Sequence, residues 1–255
     1  INRPPATSAL PSAVNQPIGA GLERATGYLY YSWDLVDRLQ LTGWVTYDYL
    51  KSPINIDLPP VAGGERTLNQ VSPKAGLIWS PRDDTHVRFA YTQSLGGVLA
   101  DQSFRIEPVQ VAGFVQSYRS LAPESAAGII PGTEYETWGM SLEHTTPTRT
   151  YLGVQGQVLK SEASRQLGAF APASFFMPLA RDPGGVDQNV AYDEQSLLVT
   201  ANQLVGDEWS FGTTYRLTHA ELSGRAPSIS DPSIGRNGEI LNDQESYLHQ
   251  IHLDS

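Results

Sequence analysis

Four side chains in one stretch of the chain carry oxygen atoms that could ligate a cation. They surround a Gly-Gly pair, and they are Asp182, Asp187, Asn189 and Asp193. Calcium prefers such carboxylate and amide oxygens on a flexible loop. Their spacing matches no known calcium loop, however, and a solvated Asp-Pro-Gly-Gly turn explains the same residues. We therefore predict no metal site, with a calcium site at these four residues as the alternative.

The residues needed for catalysis do not form a recognisable arrangement. The chain has no cysteine, which removes thiol nucleophiles and cysteine-ligated zinc. The stretch from Gly139 to Glu143 lacks the final glycine of a G-x-S-x-G nucleophile motif. His249 and His252 are three residues apart, so on a strand they would point to opposite faces and could not share a metal. The sequence thus predicts no enzyme and no cofactor.

The composition narrows the classes of partner. The 255 residues include 17 Lys and Arg against 27 Asp and Glu, and the resulting charge of −10 disfavours a nucleic-acid partner. Only 17% of the residues are charged, whereas about a quarter is usual in soluble domains. No apolar run approaches the roughly 20 residues of a membrane-spanning helix. The first ten residues do not resemble a signal peptide, so we expect the chain to be the inside of a longer protein.

Long segments that alternate in polarity every two residues dominate the chain. In residues 38–49 the odd positions are mainly apolar and the even positions mainly polar. This period indicates a strand with two different faces. We predict nine strands, at 22–34, 38–50, 70–80, 85–94, 134–145, 149–162, 191–204, 207–222 and 243–255. Short turns and long connections alternate between these strands. The long connections are predicted at 51–69, 95–133, 163–190 and 223–242.

This rhythm is typical of an outer-membrane β-barrel, which has short periplasmic turns and long outer loops. The predicted strands have 10 to 16 residues, whereas strands of soluble proteins typically have about 5 or 6. Trp33, Trp79 and Trp209 border short turns, as expected of an aromatic girdle. We predict an all-β, antiparallel barrel fragment, with 1–21 as the end of an outer loop and 22–255 as a barrel incomplete at both ends. The alternative is a soluble, carbohydrate-binding β-sandwich.

Two stretches of this chain resemble the barrels of TonB-dependent receptors. They are Val71-Ser-Pro-Lys-Ala-Gly-Leu-Ile-Trp79 with the following Val87-Arg-Phe-Ala-Tyr91, and Asp37-Arg-Leu-Gln-Leu-Thr42 with Tyr47-Asp48. Residues 105–114 are similar to barrels attached to periplasmic tetratricopeptide-repeat domains, which leaves an export or anchoring barrel as an alternative. The receptor resemblance implies uptake of a nutrient or chelate through the outer membrane of a Gram-negative bacterium. It also implies partners: membrane lipid, the rest of the barrel, a plug domain and an energy-coupling protein.

In such a receptor the long outer loops would bind the ligand. Acidic and basic residues nearly cancel in 51–69 and in 223–242, so these loops have no strong field to attract a highly charged ligand. Aromatic side chains would then make the contacts, and the candidates are Phe104, Phe114, Tyr118, Phe170, Phe175 and Phe176. We therefore expect a ligand of low charge, or a polymer that threads the lumen.

Overall fold

A computed structural model describes residues 21–55, 64–97, 105–170, 183–227 and 241–255. Eleven strands and one helix lie in these ranges. In chain order they are β1 Glu23–Val36, β2 Leu39–Pro53, β3 Glu65–Arg82, β4 Thr85–Leu95, β5 Gln110–Val111, β6 Phe114–Val115, α1 Leu121–Ala127, β7 Glu134–Thr145, β8 Thr150–Phe170, β9 Pro183–Val205, β10 Trp209–Arg225 and β11 Leu241–Asp254. Among these described residues, no helix is long and apolar enough to cross a membrane.

One large antiparallel sheet contains the nine long strands in the order β1-β2-β3-β4-β7-β8-β9-β10-β11. The predicted number of long strands is therefore confirmed, and so is the antiparallel barrel architecture. In the described part of the chain the barrel is not closed, because β1 pairs only with β2 and β11 only with β10. The soluble β-sandwich is excluded, because the long strands form a single sheet whose apolar face is exposed.

Several strands are longer than we predicted. The connection expected at 163–190 shrinks to 171–182, because β8 and β9 remain paired up to Phe170 and Pro183. Likewise β10 and β11 pair up to Arg225 and Leu241. The predicted strands stop short of the observed ones, at 162, 191, 222 and 243. The backbone hydrogen-bond ladder does not need apolar side chains, so it continues through the polar residues beyond them.

The two faces of the sheet differ in chemistry. On the outward face, large apolar side chains are exposed, for example Leu29, Val71 and Ile251 at 73%, 60% and 73%. Trp33, Trp79 and Trp209 are also exposed beside their short turns. On the inward face, the alternate positions of β2 and β3 are polar and buried, including Thr46, Asp48, Ser72 and Lys74. Such polar burial requires a covering segment on the inward side.

Candidate functional site

Residues 105–133, here called the insert, cover the polar inner face. They belong to the long connection that we expected at the outer end of the barrel. Instead of extending outward, the insert turns back along the sheet and forms the two-stranded β5–β6 hairpin and helix α1. Ala112 and Gly113 make the hairpin turn with φ of 48° and 90°. Two successive positive φ angles are the requirement of a two-residue type I′ turn.

The hairpin rests in a groove of small residues on the inner wall. Gly76, Ala90 and Gly139 are register partners on β3, β4 and β7. A Cβ at Gly76 would lie 2.7 Å from Val111, and a Cβ at Gly139 would lie 2.3 Å from the Phe114 ring. Val111 and Phe114 are almost fully buried there. The wall therefore has the shape of the hairpin, and any larger side chain in the groove would displace it.

A buried charge cluster holds the segment that precedes the hairpin. The Lys74 ammonium donates to Glu107 Oε2 at 2.8 Å, and the hydroxyl of Thr46 donates to the same oxygen at 3.0 Å. Arg105 donates to the other carboxylate oxygen at 2.7 Å. The side chains of Lys74 and Glu107 are 0% and 2% exposed. Buried charges are tolerated when they are paired and hydrogen-bonded in this way.

A second ion pair extends the cluster towards β1. Arg24 donates to Asp48 Oδ1 at 2.7 Å and to the Leu95 carbonyl at 3.0 Å. Arg105 donates to the same carbonyl at 2.7 Å, with its guanidinium carbon 3.9 Å from the centre of the Tyr118 ring. The cluster thus joins strands β1 to β4 to the insert. Cation–π contact adds to the attraction when the groups are shielded from water.

The surroundings of Glu107 favour its charged form. Burial acts to raise the pKa of this carboxyl, but hydrogen bonds and attraction from Lys74 outweigh burial and lower the pKa below its usual value. The pKa of the Tyr118 hydroxyl is raised, first by burial and then by the nearby charge of Glu107. At neutral pH the site therefore contains an ionised carboxylate and a neutral phenol.

The second half of the insert crosses to the strands on the other side. Ile130 is buried against Ala163 of β8 and Val190 of β9. The Arg165 guanidinium donates to the carbonyl of Ala127 at the end of α1. The insert therefore spans the inner face from β1 to β10. Its second half lies near the ends of β8 and β9 that lead into their long connection.

Several buried polar atoms between the wall and the insert have no hydrogen-bond partner in the protein. Within the described residues they include Trp44 Nε1, Gln70 Oε1, Ser72 Oγ, Gln116 Oε1 and Thr137 Oγ1. Buried polar groups are normally satisfied by protein, water or ligand. Hydrogen bonding between the wall and the insert is therefore incomplete, whereas the apolar packing of the hairpin is tight.

The structure changes the location of two predicted ligand contacts. Phe114 is 4% exposed in the groove, and Tyr118 lies beside the buried charge cluster. Both were expected on an outer loop, but the hairpin and the ion pairs hold them inside. Phe104, Phe175 and Phe176 lie outside the described residues. Phe170 is the last residue of β8, and the structure describes its backbone but not its side chain.

The structure does not assemble the alternative calcium site. Asp187, Asn189 and Asp193 all lie on β9. Asp187 and Asp193 are six strand residues apart, which is roughly 20 Å, so they cannot share one ion. Asp182 lies outside the described residues. Our expectation of a loop failed here because β9 begins at Pro183.

A different group brings possible metal ligands together. Within the described residues, nitrogen and oxygen atoms of His219, Glu221 and Glu245 lie within 4.8 Å of one another. The imidazole is 3.0 Å from Glu245 and 3.5 Å from Glu221, and both carboxylates are exposed. The sequence did not reveal this group, because Glu245 comes from a different strand whose register was unknown.

The fold and its inner site define a class. A single antiparallel sheet of long strands, apolar outside and polar inside, is the wall of an outer-membrane β-barrel. A family profile described as "TonB dependent receptor-like, beta-barrel" matches residues 2–166. The chain belongs to this family. Searches of curated proteins and of solved structures find no match.

Proposed function

We propose that the protein is an outer-membrane receptor that takes up a nutrient of low net charge, and that the insert constricts its transport path. The observation that carries this proposal is the insert bound by the groove and the charge cluster on the inner face. A purely structural barrel would not need a segment fitted to its lumen. Family membership supports the transport role.

The ligand class follows from the charges of the wall. Among the described residues, five basic groups beneath or within the insert are already paired with carboxylates. They are Arg24, Lys74, Arg88, Arg105 and Arg119. They are therefore not available to capture an anionic chelate. A neutral or weakly charged ligand, such as a glycan or a compact chelate, fits this wall better. The aromatic residues Phe104, Phe170, Phe175 and Phe176 remain the proposed outer contacts.

The proposal includes partners outside the described chain. A plug domain and an energy-coupling protein would open the path, and lipid would surround the outward face. The remaining strands would pair with the edges of β1 and β11 that have no neighbouring strand in the described part of the chain. Energy coupling would be needed, because the buried apolar side chains of the hairpin, Val111 and Phe114, oppose spontaneous release of the insert.

The test uses the full-length gene in its own host. Deletion of 105–133 removes the constriction, so it should replace selective uptake from a panel of limiting glycans and chelates with unselective leakage of small solutes, while the barrel still reaches the outer membrane. The variant Gly139→Val, which retains every residue of the insert but blocks its groove, should cause the same leakage to a smaller extent. Unchanged uptake together with failed secretion of a polymer would instead establish the export alternative.

A further inference from the structure

A cavity lies in the inner wall between the insert and the short turns. Its centre is Gly153 on β8, which faces inward because its neighbours Leu152 and Val154 are exposed on the outward face. The register partners of Gly153 are Glu143 on β7 and Thr200 on β9. The missing side chain leaves a cavity of about 340 Å³. Ligand sites are concave and usually have volumes of about 300–1,000 Å³, so this cavity has room for a small solute.

Five uncharged polar side chains line the cavity without hydrogen-bond partners of their own. They are Ser141 on β7, Tyr151 and Gln155 on β8, and Thr200 and Asn202 on β9. Within the described part of the chain, none of these side chains makes a hydrogen bond. Ser141 is only 6% exposed, and buried polar groups normally have a partner. A polar solute in the cavity would supply the missing partners.

The other polar groups that line the cavity already have partners. Glu143 accepts a hydrogen bond from Arg88 at 2.9 Å. The imidazoles of His86 and His144 are hydrogen-bonded to neighbouring hydroxyl groups. The cavity therefore has no unpaired charge among the described residues, and it offers hydroxyl and amide groups beside the half-exposed Tyr151 ring. An uncharged solute rich in hydroxyl groups matches this lining.

The cavity lies next to the insert on the periplasmic side. Along β7, Ser141 and Glu143 follow Gly139 of the hairpin groove towards the short turn. An added Cβ at Gly113 in the hairpin turn would lie 3.0 Å from the Arg88 guanidinium, and Arg88 is the partner of Glu143. A solute that has passed the insert would therefore meet this cavity next.

We propose that the cavity is an exit-side binding site for a sugar unit of a neutral glycan. This inference rests on the proposed function, and it selects the glycan from the ligand classes named there. The hydroxyls of Ser141 and Thr200 and the amide of Gln155 can donate and accept hydrogen bonds, as sugar hydroxyls do. A segment of another domain is the competing occupant. It would need a surface of about 800 Å² per partner, whereas this site is small and concave.

Protection of one cysteine in the full-length protein tests this assignment. Thr145→Cys places a thiol in the cavity wall without removing any of the five polar groups. Gln250→Cys, on the open inward face of β11, is the matched control. Both are made in a protein without other cysteines and labelled with a small uncharged methanethiosulfonate. The probes are neutral trisaccharides of glucose, galactose, mannose and xylose. We expect at least one trisaccharide to slow labelling of Thr145→Cys and none to slow labelling of Gln250→Cys.

Two further variants connect protection to the cavity itself. Gly153→Leu fills the cavity, since an added Cβ would already lie 2.5 Å from the Thr200 hydroxyl, and it should abolish protection. Gly156→Leu is the control on the same strand, because an added Cβ at this outward glycine meets no atom within 4 Å, and it should retain protection. Thr200→Val keeps the shape but removes a hydroxyl. It should raise the trisaccharide concentration for half-protection about three- to tenfold.

The possible results separate the site, its ligand and the proposed function. Protection in Gly153→Leu equal to that without this change, or no protection by any trisaccharide, would overturn the site. Protection by a neutral ferric hydroxamate but by no trisaccharide would overturn the glycan assignment. A Thr145→Cys thiol that stays unlabelled even without a probe would show that a protein segment fills the cavity, which also overturns the proposal. A host that takes up no member of the nutrient panel would contradict the proposed function itself, which is a different result.

Discussion

The polar residues on the two halves of the inner face differ in burial: the insert covers one half, which includes β2 and β3, and leaves those on β10 and β11 exposed. On β2 and β3, Asp48 and Lys74 are buried beneath the insert and paired with Arg24 and Glu107. On β10 and β11, the register partners Arg216 and Gln250 are exposed. Both halves have the same strand pattern in the sequence. The comparison shows that polarity alone does not distinguish a packed interior wall from an open one, because a separate segment decides which it becomes.

The largest expected effect is the loss of one buried charge. Lys74→Met leaves the Glu107 carboxylate buried without its main partner, and breaking a buried pair costs about 3–5 kcal/mol. Chemical unfolding of the assembled barrel measures this change. The matched control is Arg149→Met, because its ion pair with Asp207 is exposed at a short turn. A similar cost at both positions would contradict the burial of the cluster.

Gly139→Val should have the next largest effect. Its side chain would occupy the position of the Phe114 ring, and overpacking of a fitted interface costs about 1–3 kcal/mol. We expect faster proteolysis within 105–133 and a lower unfolding midpoint. Gly27→Val places the same side chain on an open outward position, and it should leave proteolysis unchanged. A protected insert in Gly139→Val would show that the groove does not determine docking.

Acidification should weaken the docking of the insert on the inner face. The pKa of Glu107 is lowered in the folded state, so its contribution is present above its unfolded pKa of about 4.3 and is lost as pH falls through the folded value. Protease protection of the insert should therefore decrease below about pH 4. Glu107→Gln should remove this pH dependence. If the variant loses protection over the same pH range as the wild type, other carboxyls are responsible.

The smallest effect is expected on the open half. Arg216→Ala removes an exposed charge on β10, and surface substitutions usually change stability by less than about 0.5 kcal/mol. The same unfolding assay should barely separate this variant from the wild type. A cost comparable to that of Lys74→Met would mean that the open half is covered as well.

The sequence predicted the wall well and the insert poorly. The two-residue period determined the nine strands, because side chains on opposite faces of a barrel wall meet different surroundings. It could not predict that Glu107 would reach Lys74, since that contact depends on the path of a long connection. Two features of the sequence are related to docking of the insert: the Ala112-Gly113 pair, which forms the hairpin turn, and the small residues Gly76 and Gly139 among the polar inward positions. They could not be interpreted without the register of β3, β4 and β7, which brings the two glycines into one groove.

The docked position of the insert is tested most directly by a disulfide between the insert and the wall. The Ser94 hydroxyl on β4 donates to the carbonyl of Ser117 in the insert, and the chain has no cysteine of its own. Ser94→Cys with Ser117→Cys should cross-link in the full-length protein, as detected by mass spectrometry of the joined peptides. Ser117→Cys with Ser196→Cys, on the inner side of β9, should not. Free thiols in the first pair, or equal cross-linking in both pairs, would contradict an insert docked on the inner wall.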